Sequence, residues 1–237
     1  MKKQLPTLAI ALTLSFIAAQ ANAHGVYFAN RLDQKALVLG EGPLDNVYKP
    51  EMVKKFIALD NMGRVFPLTP IAANNHISIV PNEKLGISVV DFDYGYFTRD
   101  NAGKMHAFKR FEEVADAQKT THALKFNVHY WNEKAKPQTV EAYIQIVPKV
   151  NPLTLHKGDK YEVQVLKEGK PFANAPIIPD VLNDLTTEIK ADEQGKAVLT
   201  VSAEGTNVVG VEIGEPTSTH TQNKYFSSLS FILYPED

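Results

Sequence analysis

At 237 residues, with 25 basic against 27 acidic side chains and a formal net charge of −2, the chain can bury the cores of one large or two small domains. No basic block or basic–aromatic stripe occurs, so no nucleic-acid partner is expected. Cysteine is absent, which removes thiolate zinc sites, iron–sulfur clusters and thiol nucleophiles; Met52, Met62 and Met105 are scattered, unlike a methionine-rich Cu(I) carrier.

The chain begins with Lys2 and Lys3, an apolar run from about Leu8 to Ala19, and the small-residue site Ala21-Asn22-Ala23. This pattern predicts a secretory signal peptide over 1–23, its apolar run being shorter than the ~20 residues a spanning helix requires. No later segment reaches that length, so the processed product is expected in the periplasm without a membrane anchor. Cleavage after Ala23 makes His24 the mature N-terminus. Its α-amine and imidazole then sit on one residue and can chelate a transition metal in a small ring.

Strand signals of period two dominate the remainder of the chain. Lys54–Leu59, Ile77–Val80, Gly86–Phe92 and Ala123–Trp131 read as strands of an N-terminal β-rich domain over 24–148. The segment Phe108–Gln118 reads as a short helix with weak caps. After the strand Val140–Val147, the prolines of Pro148–Pro152 mark a connector, and 149–237 forms a C-terminal domain. There, Lys160–Leu166, Ala197–Ser202, Asn207–Ile213 and Tyr225–Leu233 alternate with Gly-containing turns, which predicts an antiparallel sandwich of immunoglobulin-like or transthyretin-like type. The fold class is therefore all-β, with two β-sandwich-like domains.

The chain has no nucleophile-elbow, phosphate-loop or H-E-x-x-H pattern, and it is not expected to be an enzyme. His122 and His129 are seven residues apart on a predicted strand, which puts them on opposite faces, so the two cannot share one ion. His76, His106, His156 and His220 lie in or beside loops. Asp91 and Asp93 fall on one strand face within Asp91–Thr98 (DFDYGYFT). They can assist a cation, or mark a strand end at which Gly95 turns and the aromatics cover the core.

Several stretches together resemble one family: His24–Phe28 (HGVYF), Leu39–Tyr48 (LGEGPLDNVY), Asp93–Thr98 (DYGYFT) and His122–Phe126 (HALKF). Ile146–Gly158 (IVPKVNPLTLHKG), Val165–Ala175 (VLKEGKPFANA), Ile178–Asp180, Asp192–Ala197 (DEQGKA) and Ser228–Leu233 (SLSFIL) continue the match. Their order and spacing resemble the exported DUF4198 family, whose members include periplasmic accessory components of energy-coupling-factor-type nickel and cobalt transporters. The resemblance implies an exported β protein that binds nickel, alternatively cobalt or copper, and supplies it to the membrane components of an uptake transporter by transient contact. It also implies the metal ligands: His24 first, with His122 and Asp93 behind it; on the metal reading, one or two of His122, His106, His129 and Asp93 complete the site. Phe97 stands where the family's Asp-x-Gly-Tyr-Trp motif has tryptophan. Two alternatives remain open at this point: an envelope interaction module without metal, and a copper enzyme of histidine-brace type built on the same His24 chelate.

Overall fold

The structure, a computed structural model, describes residues 25–31, 33–40 and 48–235. In the first half the strands are β1 (Gly25–Arg31), β2 (Gln34–Gly40), β3 (Val53–Asp60), β4 (Val65–Phe66), β5 (Ile71–Ala72), β6 (Ile77–Ile79), β7 (Leu85–Asp100), β8 (Met105–Ala107) and β9 (Ala117–Tyr130). The second half adds β10 (Ile144–Pro148), β11 (Lys160–Lys167), β12 (Lys170–Pro171), β13 (Pro176–Ile178) and β14 (Ile189–Lys190). It ends with β15 (Lys196–Thr200), β16 (Gly205–Pro216) and β17 (Thr221–Leu233). The chain is all-β and sandwich-like. No helix among the described residues is long and apolar enough to cross a membrane.

A nine-stranded sheet forms the centre, in the order β14-β13-β16-β17-β9-β7-β3-β4 with β8 on the edge of β7. One four-stranded sheet, β1-β2-β6-β5, packs on one face; β10, β11, β12 and β15 cover the other. Strands from both sides of the Pro148–Pro152 connector share the central sheet. β17 pairs with β9 in parallel, from Thr221 opposite Thr120 to Phe231 opposite Tyr130, whereas the β16–β17 hairpin is antiparallel.

Period-two alternation decides which residue enters which layer. On β9, Leu124, Phe126, Val128 and Tyr130 join Ile144, Ile146, Val163 and Val165 in one core. On β7, Ile87 and Val89 enter that same core, while Val90 and Phe92 point the other way, to Val26, Phe28 and Leu37. β1 is buried on both sides: Val26 and Phe28 belong to the second core, and Tyr27 and Ala29 pack with Val181, Val208 and Phe226 in a third. At 25 cal/mol per Å², each such buried aliphatic or aromatic side chain stabilises the fold by about 1.5–3 kcal/mol before its entropy cost.

Two local expectations fail. The segment Phe108–Gln118 is no helix: a single 3₁₀ turn, Phe111–Glu113, is followed by β9 from Ala117. The Arg110 amide donates to Glu113 Oε2 at 2.7 Å, so the acidic residue read as a helix signal closes one turn and goes no further. Gly95 does not end a strand either. β7 runs straight through it to Asp100, with a register shift between Asp93 and Gly95.

Candidate functional site

That register shift builds the site. Gly95 has φ +95°, a left-handed conformation that a side chain resists, and the bulge it makes re-aims the residues around it. Asp93 lies opposite Leu124, and Tyr96 lies opposite His122. Asp93 Oδ1 accepts from the Gly95 amide at 2.9 Å and meets His122 Nε2 at 2.8 Å. Tyr96 stacks on the His122 ring, centroids 4.1 Å apart and planes 12° apart, and the Arg110 guanidinium lies 4.7 Å over the face of Tyr96. Imidazole, phenol and guanidinium thus form one cluster, with the carboxylate fixing the imidazole in its plane.

The chemistry is set by the hydrogen bond. A carboxylate only accepts, so the neutral ring donates Nε2–H to Asp93, and its lone pair resides at Nδ1. Nδ1 has no partner among the described protein groups, and the His122 side chain is 17% exposed. A histidine that ligates a metal with one nitrogen and donates the other to a carboxylate has this arrangement. Asp93 then positions His122; it is not itself free to ligate through Oδ1.

The other expected ligands are placed elsewhere. His106 lies on β8, where its Nε2 meets Asp100 Oδ2 at 2.8 Å. Asp100 Oδ1 also accepts from the amides of Ala102 and Lys104, and these bonds, the His106 bond foremost, hold its carboxyl below the usual range. His106 therefore pins the β7–β8 turn. His24 lies outside the described residues, as do the predicted signal segment and residues 41–47 of the family stretch. Its neighbour Gly25 opens β1, where an added Cβ would stand 3.4 Å from Val181 and 3.5 Å from Phe226. Phe226 pairs with Lys125, which is on the β9 face opposite to His122, so Gly25 and His122 stand over opposite faces of the central sheet. Among the described residues, no group of three or more His, Asp or Glu side chains comes together to hold a metal.

Asp91 shares the face of Asp93, as the alternation predicts. Burial raises its carboxyl above the usual range; Lys55 offsets this in part, and Oδ1 is buried without a partner. His129 is on the opposite face from His122, buried against Phe28 and Trp131 with Nδ1 2.8 Å from Ser230 Oγ. Phe97, the departure from the tryptophan motif, packs beside Tyr94 and Phe108 at 5.0 and 5.5 Å, an aromatic contact that needs no indole nitrogen.

Residues 36–215 match DUF4198, a domain of unknown function. The chain belongs to the DUF4198 family. No curated protein and no solved structure gives a significant match. In this DUF4198 chain, the sequence motifs bring Asp93 and His122 forward but give no sign of the Tyr96–Arg110 cover. The available signal is Gly95: a glycine inside a strand pattern marks a bulge as readily as a turn.

Proposed function

We propose that the protein is an exported metal-capture accessory, which takes nickel, or alternatively cobalt, as cargo in the periplasm and hands it to the membrane components of an uptake transporter. The observation that carries this reading is the Asp93–His122 pair, which leaves an imidazole oriented by a carboxylate with its Nδ1 lone pair unused. One imidazole holds an ion loosely, which suits hand-over. Tight capture falls to the His24 chelate. β1 is buried over Gly25–Ala29, two residues past the expected cleavage site at Ala23. Since Gly25 and His122 stand over opposite faces, we assign His24 and His122 to two donor positions and not to one ligand set.

The test is calorimetric titration of the processed protein with Ni²⁺, Co²⁺, Cu²⁺ and Zn²⁺, beside a version with one extra residue before His24 and a His122→Asn variant. Tight one-to-one Ni²⁺ or Co²⁺ binding that the extension abolishes supports capture at His24, and loss of a weaker second step in His122→Asn supports the second position. Binding of Cu²⁺ alone, with oxidase turnover, supports the histidine-brace enzyme instead.

An envelope interaction module is the competing reading. It is favoured by the 2.6 Å Lys224–Glu212 ion pair, beside Lys125 on the face over which Gly25 stands, because the carboxylate there is already matched by lysine cations. Binding of no ion by the processed protein decides for it.

A further inference from the structure

The end of the central sheet formed by Tyr130 and Leu233 holds a cavity of about 490 Å³, within the size range of small-molecule sites. Trp131, Leu153, Leu155 and Ile232 supply apolar wall, and the exposed side chains of Glu133, Lys157 and Glu204 stand at its rim. His129 also lines it, although the residue is only 1% exposed.

A chain of hydrogen bonds behind His129 decides what its ring offers. Ser228 donates its hydroxyl hydrogen to the Val26 carbonyl, so Ser228 Oγ accepts from Asn127 Nδ2 at 2.9 Å. The same amide nitrogen donates to Ser230 Oγ at 2.8 Å. With Asn127 in this amide orientation, which leaves its Oδ1 buried without a partner, Ser230 has one hydrogen to give, and the acceptor in reach is His129 Nδ1 at 2.8 Å. The imidazole is left as the Nε2–H tautomer, with no partner for that N–H among the described residues. Burial keeps the ring uncharged down to about pH 3. A neutral, buried N–H lining a cavity calls for an acceptor, and it is not available as a metal ligand.

We propose that this cavity binds a short apolar peptide by its C-terminal carboxylate: His129 Nε2–H donates to the carboxylate at the floor, while at the rim Glu133 and Glu204 take the terminal ammonium and Lys157 balances their surplus charge. Trp131, Leu153, Leu155 and Ile232 cover the side chains. A single amino acid places its two charges too close together to meet the buried His129 N–H and the acids at the rim; a dipeptide separates them. This site is independent of the metal reading.

Trp131 is the single tryptophan of the chain, so its fluorescence reports the cavity directly. The experiment titrates the processed protein with leucyl-leucine, its C-terminal amide and its N-acetyl form, following Trp131 emission. Saturable change with the free dipeptide, at least tenfold weaker with the amide and weaker with the N-acetyl form, is expected. Glu204→Gln, at an exposed position, should reduce the preference for the free amine over the N-acetyl form, and Glu133→Gln with it should erase the preference. His129→Phe should erase the preference for the acid over the amide. Equal binding of acid and amide by the unsubstituted protein, or no saturable change with any probe, overturns the proposal.

Discussion

His122 Nε2 and Asp93 Oδ1 lie 2.8 Å apart across the β7–β9 pairing, and the same oxygen accepts from the Gly95 amide at 2.9 Å. One carboxylate atom thereby closes the bulge and sets the tautomer of the histidine. Replacing Asp93 with asparagine keeps the shape but offers an amide in place of a charged acceptor. The expected result is a roughly 10–100-fold loss of affinity at the His122 position, the usual cost of removing a carboxylate behind a ligating histidine. Nitrogen-15 NMR of the His122 ring checks the cause: the Nε2–H tautomer should dominate in the parent and lose its dominance in Asp93→Asn.

Gly95→Ala tests the bulge itself. The residue has φ +95°, and an added Cβ would stand 3.3 Å from Phe108 Cδ1. Left-handed strain on a non-glycine residue costs about 1–2 kcal/mol, so the urea midpoint should fall accordingly. An unchanged midpoint would show that the bulge relaxes without cost.

Much of this architecture is legible in the sequence, and the reasons for the rest are physical. Alternation locates β3, β7, β9, β11, β16 and β17 because each buries one side in a definite core, and it places His122 and His129 on opposite faces. The parallel β9–β17 pairing is hidden: it joins segments about 100 residues apart, and nothing in the local pattern of either strand encodes the partner. The Asp93–His122 contact is likewise non-local, its members 29 positions apart, and only the family motifs bring the two residues forward together. Phe108–Gln118 misleads because its acidic residues fit a helix start, whereas Arg110 and Phe111 are drawn off to stack on Tyr96 and His220.

Ser230 connects Asn127 to His129 in the buried relay. Ser230→Ala leaves His129 Nδ1 and one Asn127 hydrogen buried without partners, at an expected cost of about 1–3 kcal/mol. Chemical denaturation measures it, and a double-mutant cycle with His129→Phe should recover part of the loss.

The same histidine predicts an acid sensitivity. Burial, with a smaller contribution from Lys35, lowers its pKa from 6.5 to about 3. Below 6.5 the unfolded chain takes up a proton that the folded chain refuses, so this contribution is complete above 6.5 and is lost as pH falls toward 3. The slope is about 1.4 kcal/mol per pH unit within that window. Urea midpoints measured from about pH 7 to about pH 4 should fall more steeply in the parent than in His129→Phe; parallel curves would remove His129 as the cause.

The most direct test of metal capture is diffraction at the nickel absorption edge from crystals of the processed protein grown with Ni²⁺. An anomalous peak is expected within bonding distance of the His24 amine and imidazole, and a second, weaker one at Nδ1 of His122. Nickel-loaded crystals with a peak at neither histidine would contradict metal capture.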